Sequence, residues 1–358
     1  MKIRLFFAAL IILSLACSQL TPATTIPTQD IQATELPATE ASATQTLEII
    51  QTPEATPTPE ATEAPEIAYG AIAREHITTI TEKIGGRWSG TEKEIQTGQY
   101  IETEFVNMGY EPEVVPFSRM GWTEDESSAM FNSANVVAVK QGSSAQVIVV
   151  GAHYDSVEAG LGADDNASGV GILLELATLL KDVPAPYTIH FVAFGAEEAG
   201  MLGSQNYVDN LNADEIKNTI GFVNLDSVIA GDNVYVYCSE SLPALRDWAM
   251  DWAKDNGFGL QAIPGVDLSD EGYGTADYDA FQKAHIPFAY FEATNWSLGD
   301  QDGYTQVDPQ YGDYGTIIHT QYDTLEYIDE TFPGRVDEHL NGIVTILYNL
   351  LTQYATGN

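Results

Sequence analysis

Two short hydrophobic runs constrain the fold of this chain more than any other sequence feature. Residues 188–194 and 219–225 are almost continuously apolar, which is typical of strands that are covered on both faces. Residues 168–181 and 204–212 have the spacing of helices. Because strands that alternate with helices form sheets with helices on both faces, the pattern predicts a three-layer α/β/α sandwich on a mostly parallel mixed sheet.

The same patterns extend this alternation across the rest of the folded region. Strands are predicted at 134–140, 146–151, 233–238 and 287–292, and helices at 71–82, 91–108, 243–256 and 336–354. Open sheets of this class bind their ligands outside the carboxyl ends of the strands. Polar side chains that directly follow a strand are therefore the first candidates for a functional site.

Side chains that ligate metals stand at these strand ends. His153 follows the strand at 146–151, and Glu197-Glu198 and Asp226 follow the two hydrophobic runs. An aspartate at a helix start and a histidine near the C-terminus complete five candidate ligands: His153, Asp165, Glu198, Asp226 and His319. Imidazole and carboxylate without thiolate suit zinc or a similar divalent cation. Because five such ligands over-supply one ion, the set favours two ions that share a carboxylate.

Each candidate has an ordinary structural explanation when it is taken alone. Asp165 suits a helix N-cap, Asp226 can simply end a strand, and paired glutamates are usually a solvated helix start. The metal site is favoured because every ligand occurs, in order, at a predicted element boundary.

Five ordered motifs connect these residues: HxD at 153–155, DDxxSG at 164–169, GAEExGxxGS at 195–204, NxD at 224–226 and HTxxDT at 319–324. In this combination, residues 70–355 resemble the co-catalytic di-zinc aminopeptidases, the family of bacterial aminopeptidase S and bacterial leucyl aminopeptidase. The resemblance implies a zinc-exopeptidase fold. It also implies that His153 and Asp226 bind one zinc, that Glu198 and His319 bind the other, and that Asp165 bridges both.

The resemblance implies roles for two further carboxylates. Glu197 is the expected general base, and Asp155 is expected to accept a hydrogen bond from His153 and so fix its tautomer. The bridging aspartate of the family is followed by a cis peptide, which predicts a cis bond between Asp165 and Asn166.

Three positions depart from the family pattern. A tyrosine that helps to hold the oxyanion often precedes the last histidine, but Ile318 occupies this position here, and Tyr278 is one alternative donor. The segment 277–281 has Asp-Tyr where relatives often have Asp-His, and Thr275 replaces an arginine of some relatives. These departures concern oxyanion stabilisation and recognition of the substrate N-terminus.

Together these residues predict a zinc metallopeptidase that removes the N-terminal residue from extracellular peptides. Two zinc ions lower the pKa of a bridging water, and Glu197 moves its proton to the leaving amine. A single-zinc glutaminyl-peptide cyclotransferase shares this fold and is the first alternative, although the complete bridging pattern argues against it. A catalytically inactive binding lipoprotein of the same fold is the second alternative, which an intact Glu197 disfavours.

The N-terminus predicts export. Residues 1–17 combine a short basic start with an apolar run that is short for a bilayer span, as in a secretory signal. Cys17 follows a small residue and resembles the lipobox cysteine of bacterial lipoproteins, which implies a lipid anchor in the membrane; an ordinary signal peptide is the alternative. Residues 18–67 are rich in Pro, Thr and Glu and lack Lys and Arg, which predicts a disordered tether. The catalytic domain is then expected over 68–358, at the extracytoplasmic face or cell surface.

The charge balance restricts the partners of this protein. With 52 acidic and 14 basic residues, its formal net charge is −38, so it lacks the basic surface that nucleic-acid binding requires. The acidic stretch Asp300–Asp308 weakly resembles a calcium loop, but it lacks the closing glutamate of an EF-hand, which favours a solvated loop. Zinc is therefore the predicted cofactor, and peptides with a free N-terminus are the predicted substrates.

Overall fold

The computed structural model describes residues 69–238, 242–263, 276–299 and 303–354 of the 358-residue chain. The predicted signal peptide with Cys17 and the predicted tether lie outside these residues. Thr275 and residues 300–302 of the acidic stretch lie outside them as well.

Helices and strands alternate through the described residues. The strands are β1 (Glu113–Trp122), β2 (Ser128–Lys140), β3 (Val147–His153), β4 (Thr188–Phe194), β5 (Thr219–Leu225), β6 (Asn233–Tyr237), β7 (Leu260–Ala262) and β8 (Phe288–Thr294). The helices are α1 (Ala71–Thr78), α2 (Glu92–Asn107), α3 (Gly169–Leu180), α4 (Leu202–Asp209), α5 (Ala213–Asn218), α6 (Ala244–Asn256), α7 (Tyr278–Lys283), α8 (Leu325–Thr331) and α9 (Arg335–Gln353). Wider helical turns at Thr79–Ile84 and Ala163–Ser168 follow α1 and precede α3.

The strands form one mixed sheet in the order β1-β2-β4-β3-β5-β8-β6-β7. Its centre is parallel, because β3 pairs in parallel with β4 and β5, and β5 pairs in parallel with β8. Antiparallel pairs of β1 with β2, β2 with β4, and β6 with β8 lie on either side of this centre. The parallel centre places the carboxyl ends of β3, β4 and β5 side by side.

Helices cover both faces of the sheet, which explains why the central strands are almost continuously hydrophobic. Ile148 and Val150 of β3 contribute to the cluster that contains residues of α1, α3 and α9. Val149, between them, contributes to a second cluster with residues of α4 and α7. All three side chains are fully buried. The predicted three-layer α/β/α sandwich is therefore confirmed.

Most predicted elements occur within a few residues of their expected bounds, and the two hydrophobic runs match β4 and β5 at both ends. The sequence patterns did not reveal β1, the first half of β2, the three-residue β7, or the helices α5, α7 and α8. Most side chains of β1 are not buried, and Pro116 lies within it, so it lacks a clear hydrophobic alternation. The missed helices have six or seven residues, which is too short to show a period of 3.6.

The β1–β2 hairpin extends beyond the sheet. β2 pairs with β4 only over Val136–Lys140, whereas β1 and β2 stay paired as far as Trp122. We call residues 117–133 the hairpin arm. Phe117 and Phe131 of the arm pack against three side chains that follow β4: Ala196, Ala199 and Leu202. This packing fixes the arm beside the loop after β4.

A close backbone contact also anchors the arm. The Trp122 N–H donates to the Ala199 carbonyl oxygen at 2.8 Å. A Cβ atom at Gly121 would lie 2.4 Å from the same oxygen and 2.9 Å from Leu202 Cδ1. Only glycine permits this approach, because any side chain would push the arm away from the loop.

Candidate metal centre

All five predicted ligands lie at the carboxyl edge of the sheet. His153 is the last residue of β3, Glu198 follows β4 and Asp226 follows β5. Asp165 lies in the wide turn before α3, and His319 lies in the loop between β8 and α8. The parallel pairing of β3 with β4 and β5 is what brings the first three side chains to one place.

Asp165 lies between the two histidines. Its Oδ1 is 3.1 Å from His153 Nε2, and its Oδ2 is 2.9 Å from His319 Nε2. Each histidine also has a second carboxylate: Asp226 Oδ1 is 3.3 Å from His153 Nε2, and Glu198 Oε2 is 3.4 Å from His319 Nε2. The five side chains thus form two groups of three that share Asp165.

These side chains fit a divalent cation such as zinc. His153, Asp165 and Glu198 each offer a ligand atom, and these atoms lie within 4.8 Å of one another. Asp165 Oδ1 and Glu198 Oε1 are buried and make no hydrogen bond. Buried carboxylate oxygens that lack hydrogen bonds are costly unless a cation binds them. Imidazole nitrogens and carboxylate oxygens are also ligands that zinc accepts.

The excess of carboxylates shifts the pKa of both histidines. Burial lowers the pKa of His153, but neighbouring carboxylates, Asp226 above all, outweigh burial and raise it well above its ordinary value. The pKa of His319 is also raised, since hydrogen bonds to Asp165 and Glu198 outweigh its burial. Burial raises the pKa of Glu198 to about 7. The centre favours positive charge, which a bound divalent cation supplies.

The backbone is unusual around the centre. The peptide bond between Asp165 and Asn166 is cis, as predicted. Ala196, Ser227 and His319 have φ angles of 54°, 52° and 57°, in the left-handed region that few residues other than glycine adopt. Ala196 precedes Glu197, Ser227 follows Asp226, and His319 is a predicted ligand. These are three of the seven non-glycine residues with positive φ in the described part of the chain.

Asp155 holds the loop that carries Glu197 and Glu198. Its Oδ1 accepts a hydrogen bond from the Glu197 N–H at 2.9 Å. Its Oδ2 accepts from the Glu198 N–H at 3.1 Å and from the Ser89 hydroxyl at 2.6 Å. Asp155 Oδ1 also lies 3.5 Å from His153 Nδ1, a buried atom that makes no hydrogen bond. Asp155 therefore holds both the loop and Ser89, and it lies beside His153 Nδ1.

Glu197 lies half-buried beside the five predicted ligands. Burial raises the pKa of its carboxyl well above the ordinary value, and Glu198 and Asp277 add to this effect, whereas His153 opposes it. A carboxyl group whose pKa is raised in this way accepts protons at higher pH than an ordinary glutamate does.

Glu94 is a site residue that the sequence did not reveal. This side chain of α2 is almost fully buried, and its Oε1 accepts a hydrogen bond from the Ala196 N–H at 3.0 Å. It also accepts hydrogen bonds from the Ser133 hydroxyl and the Gly90 N–H. Glu94 and Asp155 together hold three successive backbone N–H groups, those of residues 196, 197 and 198.

Asp323 and Asp164 also escaped prediction as site residues, although both fall within quoted motifs. The carboxylate of Asp323 accepts hydrogen bonds from the Asp164 N–H at 2.6 Å and from the Asp165 N–H at 3.1 Å. The carboxylate of Asp164 in turn accepts from the N–H groups of Ile229 at 2.8 Å and Ala230 at 3.1 Å. The turn with Asp165 is thereby tied to the segment that follows Asp226.

Gln306 connects this network to the loop of His319. Its Nε2 donates to Asp164 Oδ2 at 2.6 Å, and its Oε1 accepts from the Ile317 and Ile318 N–H groups at 3.1 and 2.9 Å. The side chain is 1% exposed. No local sequence signal marks Gln306, because its partners are distant in the chain.

The charges of Asp226 and Asp165 both act on the hydroxyl of Tyr290. Tyr278, the alternative oxyanion donor, is fully buried and stacks on Phe288 at 4.7 Å. Burial raises the pKa of Tyr290 well above its ordinary value, and Asp226 and Glu292 add to the effect. Tyr290 therefore stays protonated beside the centre, at a position of β8 that the sequence did not single out.

Comparison with known proteins identifies the family. The sequence matches the model of peptidase family M28 over residues 135–343, which is more than half of the chain. The chain belongs to peptidase family M28. It is therefore a metallopeptidase, and the predicted relationship to the zinc aminopeptidases is confirmed.

Several characterised relatives of this M28 peptidase are similar in sequence. The "Alkaline phosphatase isozyme conversion protein" of Escherichia coli K12 is 33% identical over 307 residues, which cover 78% of this chain and 88% of that protein. Aminopeptidase YwaD of Bacillus subtilis is 34% identical over 202 residues, which cover 55% of this chain but only 41% of YwaD. The chain thus spans most of the first relative and less than half of the second.

Solved structures share the fold of this peptidase. The zinc aminopeptidase BSAP of Bacillus subtilis superimposes with a TM-score of 0.64 at 20% identity, covering 80% of this chain and 96% of that one. A glutaminyl cyclase of Porphyromonas gingivalis superimposes with a TM-score of 0.58 at 22% identity, covering 79% of this chain and 98% of that one. At these identities the likeness concerns the fold, which hosts both kinds of enzyme.

Proposed function

We propose that this protein is a di-zinc aminopeptidase that releases the N-terminal residue of peptides outside the cytoplasm. The observation that carries the proposal is the position of Asp165, whose two carboxylate oxygens face His153 and His319 at 3.1 and 2.9 Å. Each histidine has a further carboxylate of its own, Asp226 or Glu198. Two ligand groups that share one carboxylate suit a pair of metal ions in a hydrolase.

Zinc in both groups would polarise the scissile carbonyl and acidify a water molecule. The chain itself supplies the proton acceptor. Glu197 is held next to the ligands through its backbone N–H, which donates to Asp155. Because its pKa is raised, a carboxylate oxygen of Glu197 takes up the proton of the water and then gives it to the amine of the leaving peptide.

Negative charge around the centre suits a substrate with a free α-amine. Asp277 is fully buried and lies close enough to raise the pKa of Glu197. Glu292 follows Phe291, which pairs with Leu225 beside Asp226, and burial together with Asp226 raises the pKa of its carboxyl to about 8. A protonated α-amine interacts favourably with these carboxylates, whereas an acylated N-terminus does not. This preference restricts cleavage to the first residue of a peptide.

The variant Glu197→Gln tests the proposal, because it removes the proton acceptor and keeps every proposed ligand. We expect it to retain two zinc ions per chain, measured by atomic absorption, and to lose at least ~10²-fold in kcat on a chromogenic leucine amide. Glu126→Gln, an exposed glutamate of the hairpin turn, is the matched control. Loss of zinc from Glu197→Gln would contradict the assignment of Glu198 as the ligand of the pair. Hydrolysis by the parent that persists in a strong chelator would contradict metal dependence.

A single-zinc glutaminyl-peptide cyclotransferase is the competing proposal. It is supported by the glutaminyl cyclases among the proteins that share this fold. The full set of two histidines and three carboxylates favours two ions, so zinc stoichiometry separates the two proposals. A peptide with N-terminal glutamine, followed by mass spectrometry, separates them again, because cyclisation releases ammonia and hydrolysis releases glutamine. An inactive binding lipoprotein would convert neither substrate.

We also propose that the mature protein is anchored to a membrane through lipid on Cys17, with residues 18–67 as a tether to a catalytic domain over 68–358. In the described ranges, no helix combines the length and the hydrophobicity that crossing a bilayer requires. A similar protein of Mycobacterium tuberculosis, 33% identical over 227 residues, is named "Probable lipoprotein aminopeptidase LpqL". Metabolic labelling with a radioactive fatty acid tests the anchor: the parent should be labelled and Cys17→Ala should not.

A further inference from the structure

A cavity of about 440 Å³ lies between the hairpin arm and the loops that follow β3 and β4. Its walls are aromatic and apolar: Trp88, Trp122, Phe131, Val157 and Ala199. Trp88 and Trp122 are 40% and 61% exposed, so both side chains are accessible to a ligand. Glu198 lines the cavity as well, so the cavity adjoins the metal centre at this residue. We call it the arm pocket.

Carboxylates surround the arm pocket. Glu124, Asp125 and Glu158 line it together with Glu198, and no Lys, Arg or His is among its lining residues in the described part of the chain. Hydrogen bonds from Thr123 and Ser127 lower the pKa of Asp125, so its carboxylate remains ionised. A neutral apolar ligand would gain nothing from these charges.

The walls of the arm pocket are joined to one another. Glu124 Oε1, on the arm, accepts a hydrogen bond from the Glu158 N–H at 2.7 Å, on the loop after β3. The Trp122 N–H binds the Ala199 carbonyl on the loop after β4. The arm thus contacts two of the loops that adjoin the metal centre, those after β3 and β4. The whole arm precedes residue 135, where the match to the M28 family model begins, so this wall lies outside the part of the chain that the family model matches.

We propose that the arm pocket binds a cationic side chain, lysine or arginine, of the peptide substrate. The aliphatic stem of such a side chain packs on the apolar walls. Its charged end lies over an indole ring, where a cation is attracted to the π-face, and within reach of the carboxylates. This inference rests on the proposed function, because that function is what makes the ligand a peptide. The cationic residue is either the N-terminal one or the one after it, since the pocket adjoins the centre at Glu198.

The test compares lysine with norleucine, which has the same stem without the charge, at both positions. The dipeptides are Lys-Ala, norleucine-Ala, Ala-Lys and Ala-norleucine. We expect kcat/KM to be about 10-fold higher for lysine at one position, which corresponds to about 1.4 kcal/mol, and to fall toward the norleucine value as salt is raised. The double variant Glu124→Gln/Glu158→Gln keeps the Glu124 acceptor oxygen and should lose this preference. Trp122→Ala should reduce it, and Glu126→Gln, in the same turn but outside the pocket, should not.

Two results would overturn the proposal: norleucine preferred or equal at both positions, or a lysine preference that survives in the double variant. Hydrolysis of Ala-norleucine by the parent reports on the proposed function separately. Binding of the same four dipeptides to the Glu197→Gln protein, measured by calorimetry, needs no turnover. The two proposals can fail separately. If no dipeptide is hydrolysed, the aminopeptidase assignment is wrong. If the lysine dipeptides still bind more tightly than the norleucine dipeptides, and the double variant abolishes this difference, the assignment of the arm pocket is nevertheless supported.

Discussion

Replacing Asp323 by asparagine should loosen the turn that carries Asp165 without removing any proposed ligand. The two carboxylate oxygens of Asp323 accept hydrogen bonds from the N–H groups of Asp164 and Asp165 at 2.6 and 3.1 Å, and the residue is 2% exposed. Asparagine has one acceptor oxygen, so its NH₂ group must face one of these two donors. In either orientation, one buried backbone N–H loses its acceptor.

The expected cost follows from these contacts. Loss of a hydrogen bond to a charged group costs about 1.5–3 kcal/mol, and an unsatisfied buried N–H costs about 1–3 kcal/mol. Removal of a buried charge offsets part of this sum, because burial and Asp164 raise the pKa of Asp323 well above its ordinary value. We expect the free energy of unfolding to fall by about 2–4 kcal/mol. Zinc affinity should fall about 10- to 100-fold, as it does when residues that orient metal ligands are changed.

Two measurements check this prediction. Urea unfolding in the presence of a chelator, followed by circular dichroism, gives the free energy of unfolding without metal. Competition with a chromophoric chelator gives the dissociation constant for zinc. The control is Asp337→Asn, which removes an exposed partner of Arg74 and should cost under about 1 kcal/mol without changing zinc affinity. If Asp323→Asn behaves like this control in both measurements, Asp323 does not hold the turn of Asp165 and the reasoning is wrong.

Three further changes probe other parts of the molecule. Burial lowers the pKa of His76 from 6.5 to about 4, so between these pH values the unfolded chain binds a proton that the native chain does not. The free energy of unfolding, measured with urea in the presence of a chelator, should therefore fall by about 2–3 kcal/mol as the pH drops through this range. The variant His76→Gln should show a weaker dependence of this free energy on pH. Gly121→Ala places a Cβ atom 2.4 Å from the Ala199 carbonyl oxygen, so it should lower the free energy of unfolding in urea by about 1–3 kcal/mol. It should also reduce the preference for lysine, and an unchanged preference would show that the arm pocket does not need this close contact. A chain that begins near Ala68 should match the full mature chain in activity and, by calorimetry, in melting temperature, since residues 18–67 lack the apolar surface to build a core; a loss of many degrees would contradict the proposed tether.

The parts of this fold that the sequence predicts are those in which burial leaves a regular pattern. β4 and β5 were located at both ends because helices cover the sheet on both sides, which favours apolar residues along most of each strand. β1 was missed because only one of its faces packs, and Pro116 stands in the middle of it. Four of the five predicted ligands were indicated because each ends or follows a strand or stands in the turn before a helix, and His319, in a loop, was indicated by the HTxxDT motif.

The residues that hold those five side chains could not be found in the same way. Glu94 accepts a hydrogen bond from a backbone N–H that is 102 residues away, and Asp323 accepts one from 159 residues away. Contacts of this kind depend on how the chain folds back on itself, and a buried carboxylate looks in sequence like any solvated acid. Asp323 and Asp164 lie within the quoted motifs, but the motifs do not show which backbone groups these carboxylates bind.

The two edges of the sheet restrict how a peptide can approach this enzyme. Many domains that bind extended peptides let the ligand extend a sheet as an additional strand, through main-chain hydrogen bonds that ignore side chains. Here the edge strand β1 contains Pro116, which has no N–H to offer, and the opposite edge strand β7 has only three residues. Neither edge is a good template for main-chain pairing. In the proposed aminopeptidase, a peptide would therefore be held by side-chain and terminal contacts at the metal centre and the arm pocket rather than by pairing with an edge of the sheet.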